Sequence, residues 1–344
     1  MQIQTPSFIF CKLRQLFSDN VFTFSFLLIT TLYLSADWFM DRYFMPKNIS
    51  FVVGIILWGG ICIGNWKRKI RLSVDFLFLS FTVFMGYVFV CSLFTSQYIH
   101  SVYIVSGWIL FVLMRNGKNP TETFNSILAV VGVLSALYGL LQYVGCIEIQ
   151  SYFPVIGSFD NPAGFAASIV LCYPFLLCHS SNGKRRTFKV MACLLLIIVV
   201  ILSGSRTGIL TLCVVTLLFY ALRYRKLIHR RRIFFISGGT LLLIGLFIGL
   251  IYLKPASASG RVLIWKVSAG LCKENMIRGN GLGSFKADYM PEQAKYLSSS
   301  HADESDRILA GNTNYPFNEY LLLLIEQGLI GIALFLLSLI AVFR

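Results

Sequence analysis

Arg206 is the residue of this chain whose surroundings most favour chemistry with phosphate. It lies in the segment SGSRTG, between the apolar stretches LLLIIVVIL and ILTLCVV. A charged side chain in the hydrocarbon of a bilayer costs about 3 kcal/mol or more, so a chain that keeps one beside two apolar stretches usually uses it. Guanidinium presents a planar fork of donors that matches phosphate oxygens. We therefore predict that Arg206 binds phosphate, with snorkelling to lipid headgroups as the alternative.

A second arginine, Arg261, precedes Trp265 by about one helical turn. This spacing allows two interpretations. Either Arg261 is a second phosphate ligand, or Arg261 and Trp265 belong to an amphipathic interfacial helix with an aromatic anchor. Two cations suit a diphosphate, because that group carries more charge than one guanidinium can offset.

Two residues are candidates for a general base. Glu319, in PFNEYL, opens an apolar stretch, where a carboxylate either favours the start of a helix or accepts a proton in a reaction. His301, in SSSHADESD, is the other candidate, or else a solvated loop side chain. Nothing in DESD has the spacing of an EF-hand or a two-metal site, so we predict no required metal and no cofactor.

These residues must be positioned by membrane helices. The chain of 344 residues is 56% hydrophobic and only 13% charged, which is typical of an integral membrane protein and not of a soluble domain. Its net charge of +15 does not indicate nucleic acid, because the basic residues lie in short connectors between apolar stretches. The predicted fold is all-α, with about ten transmembrane helices. Their predicted ranges are 21–39, 50–66, 74–95, 99–114, 124–145, 163–180, 187–203, 207–223, 233–253 and 326–343.

Basic residues in alternate connectors predict the orientation. Clusters of Lys and Arg occupy 67–71, 115–118, 184–189 and 223–232. The connectors between them, TSQYIH, EIQSYFPVIGSFDNP and SGSR, contain one Lys or Arg residue in total, which is Arg206. By the positive-inside rule the basic connectors and the N-terminus are cytoplasmic, and Arg206 faces outside. The first apolar stretch is taken as an anchor, because no small-residue cleavage site follows it.

Three regions are predicted along the chain. Residues 1–253 form a transmembrane bundle of about nine spans, residues 254–315 a long extracytoplasmic loop, and residues 316–344 a re-entry helix and the last span. The nine cysteines are scattered without metal-binding spacing, and most are expected to be buried apolar side chains. A disulfide between Cys146 and Cys272 is left open.

Four motifs in order resemble one family. They are GSFDNPAGFAA, SGSRTG, R-x-x-x-W (Arg261 to Trp265) followed by GNGLGSF, and NEYLLLLIEQGLIG. Together, over roughly residues 150–340, they resemble the O-antigen ligase and polymerase superfamily of bacterial membrane glycosyltransferases. The resemblance implies transfer of a glycan from undecaprenyl diphosphate to an acceptor hydroxyl on the periplasmic side of the inner membrane, without a metal and with inversion. The acceptor would be lipid A-core, another carrier-linked repeat or a protein. Arg206 and Arg261 would correspond to the family's diphosphate-binding arginines. In such a reaction Trp265 is expected to stack on a sugar ring, and Asn318, Asp160 and Asn161 are expected to contact sugar or acceptor hydroxyls.

One position departs from the family pattern. Ligases of this family commonly have His immediately before the Asn that opens the last motif, whereas this chain has Phe317 there. Glu319 or His301 would then replace that base, or the reaction would depend on positioning and leaving-group stabilisation. Two other classes remain as alternatives, a transporter of lipid-linked glycans and a non-catalytic membrane scaffold.

Overall fold

The computed structural model describes most of the chain as α-helix. The described residues are 25, 27–30, 34–36, 38–39, 42–64, 73–94, 98–116, 121–149, 151–178, 184–224, 232–253, 255–300 and 302–344, and none of them forms a β-strand. The helices are α1 (Phe44–Gly64), α2 (Phe76–Phe94), α3 (Tyr98–Asn116), α4 (Thr121–Tyr143), α5 (Pro162–Cys178), α6 (Lys184–Leu202), α7 (Arg206–Arg223), α8 (Arg232–Leu253), α9 (Pro255–Glu274), α10 (Ser284–Ser298), α11 (Glu304–Leu309) and α12 (Glu319–Val342). The predicted all-α class is confirmed.

Apolar helices long enough to cross a bilayer occur where the sequence predicts spans. Within the described ranges four helices meet the length and composition required, namely Phe76–Phe94, Asn125–Tyr143, Arg206–Arg223 and Glu319–Val342. Shorter apolar helices cover Phe44–Gly60, Ser101–Arg115, Pro162–Cys178 and Ser237–Gly249. These helices indicate that the chain is a membrane protein. The count of about ten spans stays a prediction. Most of the first predicted span, 21–39, lies outside the described residues.

The chain divides into two compact units. The first comprises Met1–Asn65 with Gly117–Leu250, and the second comprises Trp66–Asn116 with Ile251–Arg344. Each unit combines segments that are far apart in the sequence. Each also contains its own cluster of buried apolar side chains.

Close helix packing builds the first unit. Its core lies among α4, α5, α6 and α7, around Phe165, Ile169, Leu196 and Val199. Small residues let these helices approach, as is usual in membrane bundles. A β-carbon on Gly132 of α4 would lie only 2.6 Å from the β-carbon of Cys172 on α5.

The second unit contains α2, α3 and the helices after residue 251. Its core joins α9, α10 and the first half of α12 through Leu263, Val267, Phe285, Tyr289 and Ile325. Segment 254–315, expected as a loop, therefore folds largely into helices α9, α10 and α11. Leu263, Val267 and Leu271 recur every four residues and line one buried face of α9.

The disulfide left open by the sequence is not formed. Cys146 is a free, exposed thiol and Cys272 is a free, buried thiol. The two residues also belong to different units.

Candidate functional site

In the first unit, the SGSR turn is a helix cap that fixes the start of α7. Gly204 has φ 65°, a conformation that glycine adopts without strain. Ser205 is the N-cap residue, and its hydroxyl accepts a hydrogen bond from the amide of Gly208 at 3.2 Å. Arg206 is the first residue of α7 and is partly exposed. The backbone that carries this arginine is therefore held on both sides.

The turn that precedes α5 is held by a buried glutamine. Gln142 on α4 donates from Nε2 to the carbonyl oxygen of Gly157 at 2.7 Å. Its Oε1 accepts from the amides of Ile156 at 3.2 Å and Gly157 at 2.8 Å. Three hydrogen bonds from one side chain leave this turn little freedom, because each bond is buried where water cannot replace it.

Asp160 and Asn161 follow directly at the start of α5. Asn161 caps the helix, since its Oδ1 accepts a hydrogen bond from the amide of Gly164 at 2.8 Å. Its Nδ2 donates to Oδ1 of Asp160 at 2.8 Å. Pro162 then occupies the first helical position, where a backbone N–H would have no partner within the helix, so the missing N–H of proline costs nothing. Asn161 is thus engaged in structure, whereas Asp160 is exposed.

Two of the four motifs come together at one end of the first unit. A β-carbon on Gly208, in the first turn of α7, would collide with the β-carbon of Ala166, in the second turn of α5. The two helices are linked by α6 and so begin at the same end. The structure therefore brings Arg206 to the end of the unit that carries Asp160 and Asn161.

Lys47 was missed by the sequence analysis. Its Nζ donates to the carbonyl oxygen of Ser158 at 2.5 Å and contacts the Ser158 hydroxyl at 3.3 Å. The ammonium also lies 4.0 Å from the centroid of the Phe159 ring. The signal was present in the connector 40–49, which alternation of the predicted spans puts on the same side as Arg206. We expected the outer connectors to have no cation besides Arg206, and Lys47 shows that this expectation was wrong.

In the second unit, α9 presents Arg261 and Trp265 to the chain just before α12. Trp265 donates from Nε1 to the carbonyl oxygen of Pro316 at 2.8 Å. Arg261, one turn earlier, has its Cζ 5.2 Å from the centroid of the Phe317 ring. The motif R-x-x-x-W and the position that departs from the family pattern are therefore direct neighbours.

Asn318 and Glu319 form the start of α12. Asn318 is the N-cap residue, and its Oδ1 accepts hydrogen bonds from the amides of Tyr320 at 3.1 Å and Leu321 at 3.2 Å. Glu319 is the first helical residue and its side chain is exposed. A carboxylate here is stabilised by the helix N-terminus and stays open to an incoming group.

The glycine-rich motif GNGLGSF interlocks with EQGLIG. Helix α12 is broken at Gly328, which has φ 65° and ψ −168°. Across the break, the amide of Asn280 donates to the carbonyl oxygen of Ile325 at 2.8 Å, and the amide of Leu329 donates to that of Met276 at 2.9 Å. The backbone groups freed by the break are therefore bonded to the turn between α9 and α10.

Side chains complete this interlock. Glu326 is buried, and its Oε1 accepts from the amide of Gly283, the residue before α10, at 2.9 Å. The hydroxyl of Tyr87 on α2 lies 3.0 Å from the carbonyl oxygens of Arg278 and Gln327, which share its one proton. One helix of the apolar bundle, the turn and the broken helix are thus joined in one hydrogen-bonded assembly.

A charged network fixes α11 to α9 and α10. Asp306 accepts a hydrogen bond from the Tyr296 hydroxyl at 2.8 Å and pairs with Lys266 at 3.1 Å. The Tyr296 bond and the nearby ammonium hold the pKa of Asp306 below its usual range, despite partial desolvation. The same contact raises the pKa of Lys266. These contacts join three helices, and we assign the network a structural role.

His301 lies outside the described residues. Within the part of the chain that the structure describes, no group of three or more His, Cys, Asp and Glu side chains is arranged to hold a metal ion.

Comparison with known proteins yields one finding about family. Residues 191–336 match the family model described as O-antigen ligase. The matched segment contains SGSRTG, Arg261 to Trp265, GNGLGSF and NEYLLLLIEQGLIG. Neither a curated protein nor a solved structure matches the chain.

Proposed function

We propose that this member of the O-antigen ligase superfamily, matched over residues 191–336, transfers a glycan from undecaprenyl diphosphate to an acceptor hydroxyl. The family match itself supports an O-antigen ligase- or polymerase-like membrane enzyme. The proposal adds the donor, the periplasmic side of the inner membrane and the reaction. Lipid A-core is the proposed acceptor, and polymerase activity or protein glycosylation is the alternative.

The observation that carries the proposal is the position of the two arginines in the matched segment. Arg206 and Arg261 both lie within residues 191–336. Each has a defined setting in its own unit. Arg206 follows the Ser205 cap at the start of α7, and Arg261 stands on α9 one turn before Trp265. Guanidinium groups on fixed backbone suit a leaving diphosphate, because preorganised donors need no rearrangement as charge develops.

The proposed reaction is a displacement at the anomeric carbon. The acceptor oxygen attacks that carbon, the bond to the diphosphate oxygen breaks, and the acceptor proton passes to a base. Arg206 and Arg261 stabilise the charge on the diphosphate, and a well-placed donor is worth about 3–4 kcal/mol in such a role. Attack opposite the leaving group inverts the anomeric configuration.

Glu319 is the proposed base. Its carboxylate is exposed at the first residue of α12, on the chain segment that also contains Phe317. His301 is the second candidate. Trp265 is proposed to stack on a sugar ring, and Asp160, Asn161 and Asn318 to bind sugar or acceptor hydroxyls. Asn161 and Asn318 use Oδ1 in helix caps, and the exposed Asp160 accepts from Asn161 through its Oδ1.

The broken helix α12 bears on the transporter alternative. Secondary transporters commonly use broken helices to line a substrate site near the membrane centre. In α12 the backbone groups on both sides of Gly328 bond to residues 276–281, so packing against that turn explains the break. The transferase is therefore the function that we propose.

The experiment that tests this function is deletion of the gene followed by gel analysis of surface polysaccharide. Loss of a ligase removes the ladder from lipid A-core and accumulates carrier-linked glycan. Loss of a polymerase leaves core plus one repeat. An unchanged ladder with no accumulated carrier would contradict both.

A further inference from the structure

Phe317 has a backbone conformation that is unusual for its residue type. Its φ is 53°, and among the described residues it is the single non-glycine residue with positive φ. A side chain with a β-carbon is disfavoured in this left-handed region, and bulky residues there occur chiefly where surrounding structure enforces them. Such outliers cluster at functional sites.

Both neighbours of Phe317 are fixed by hydrogen bonds. The carbonyl of Pro316 accepts from the Trp265 indole at 2.8 Å, and Asn318 caps α12. The ring of Tyr315 lies 6.5 Å from that of Phe317 at 70°, an edge-on contact. Phe317 is thus held between two anchored residues, with its ring 5.2 Å from Cζ of Arg261.

A cation over an aromatic face is attracted by the ring quadrupole. The ring attracts the positive charge but accepts no strong hydrogen bond from the guanidinium N–H groups, which are the groups that bind phosphate. A phenyl ring therefore orients an arginine without competing for the donors that a diphosphate would use. Histidine at this position would add a titratable group, which phenylalanine does not have.

We propose that Phe317 is a positioning residue, whose ring holds the Arg261 guanidinium in the orientation that binds the donor diphosphate. This inference rests on the proposed function, because it assumes that Arg261 binds the donor. Phe317, which stands where ligases of the family commonly have His, would then orient a cation and would not transfer a proton.

The test uses the full-length protein in lipid nanodiscs, with undecaprenyl-diphosphate-linked glycan from the deletion strain as the donor. Phe317→Gly removes the ring and relieves the backbone, since glycine accepts positive φ. We expect the KM for the donor to rise about three- to fivefold, the range of a partly exposed cation–π contact, while the unfolding temperature stays at or above that of wild type. Phe317→Tyr keeps the ring and should retain the wild-type KM.

A double-mutant cycle separates the inference from the proposed function. If the ring acts through Arg261, Phe317→Gly should add no further loss in an Arg261→Ala background. Additive losses would overturn the inference, as would a wild-type KM in Phe317→Gly when Arg261→Ala alone raises it. A wild-type KM in Arg261→Ala itself would instead remove Arg261 from the proposed donor site.

Undecaprenyl diphosphate alone gives a second readout that needs no acceptor. Its affinity for the nanodisc-bound protein should fall in Phe317→Gly and Phe317→Leu and stay unchanged in Phe317→Tyr. Equal affinity in all three variants, with normal weakening in Arg261→Ala, would overturn the positioning role.

Discussion

Gly279 and Gly328 pack backbone against backbone. A β-carbon on Gly328 would lie 2.5 Å from the amide nitrogen of Gly279, and one on Gly279 would lie 2.5 Å from that of Gln327. Both glycines have positive φ. The motifs GNGLGSF and EQGLIG are therefore two halves of one element, which ties the turn after α9 to the break in α12.

Replacing either glycine by alanine should disrupt this element. In Gly279→Ala and Gly328→Ala the new methyl group would overlap backbone atoms that cannot move aside, and positive φ adds strain. We expect a loss of about 3 kcal/mol or more, seen as a lower unfolding temperature and a lower yield of folded protein.

Gly311→Ala is the matched control. Gly311 lies in the same unit, and a β-carbon there would have no neighbour within 4 Å. This variant should unfold near the wild-type temperature. Equal stability of all three variants would contradict the interlock.

Asp306 should make the second unit sensitive to acid. Its pKa is lowered in the folded protein, so its contribution to stability is present above its unfolded pKa of about 3.9 and disappears as pH falls through the lower folded value. Asp306→Asn should lower stability at pH 7 by about 1 kcal/mol, because water screens the partly exposed Lys266 partner, and the difference from wild type should shrink below about pH 4.

Unfolding temperatures at several pH values test this expectation. Asp303→Asn serves as the control, because Asp303 precedes the same helix and makes no side-chain cap bond. A difference between Asp306→Asn and wild type that persists unchanged to pH 3 would refute the assignment.

The sequence predicted helix positions best where hydropathy decides them. Helix α7 was predicted at 207–223 and runs from Arg206 to Arg223. The last span was predicted at 326–343, after a re-entry helix within 316–344. The structure has one helix, Glu319–Val342, which starts at the Asn318 cap and is broken at Gly328. In 254–315 the apolar residues recur at helical spacing within an otherwise polar sequence. The mean hydropathy of this segment is therefore low, and its three helices were not predicted.

The sequence could predict residue types in the site but not their contacts. Lys47 and Ser158 are 111 residues apart, and no local pattern connects them. The positive φ of Phe317 also has no sequence signal, because phenylalanine is disfavoured in that conformation. Both features arise from packing between distant segments.

Lys47 should be needed to hold the turn that carries Asp160. Lys47→Met keeps the length of the side chain but removes the donor to Ser158. We expect turnover to fall about tenfold, because a turn that is displaced by about 1 Å misplaces the groups it carries. The rate of donor consumption by the purified protein measures this.

Lys189→Met is the control. Lys189 is on α6, and its partner Leu177 lies at the C-terminal end of α5. Lys189 donates from Nζ to the carbonyl oxygen of Leu177 at 2.6 Å, so the chemistry removed is similar. Both variants should lose comparable stability, but only Lys47→Met should lose turnover. Parallel losses of activity would show that Lys47 has a structural role alone.

Glu319 should be required for proton transfer. Glu319→Gln keeps the shape of the side chain and removes its basicity, and the loss of a general base typically lowers kcat by about 10²-fold or more. Glu304→Gln is matched, because Glu304 is likewise an exposed first residue of a helix. Wild-type kcat in Glu319→Gln, together with a large loss in His301→Ala, would transfer the role to His301.

The measurement that tests the central claim most directly is release of undecaprenyl diphosphate by the reconstituted protein, compared among wild type, Arg206→Ala, Arg206→Lys and Arg223→Ala. Arg206 and Arg223 lie at opposite ends of α7, so the pair separates position from charge. We expect Arg206→Ala to lower the rate about 10²- to 10³-fold, Arg206→Lys to recover part of it, and Arg223→Ala to match wild type. A wild-type rate in Arg206→Ala would contradict the proposal that this arginine binds the leaving diphosphate.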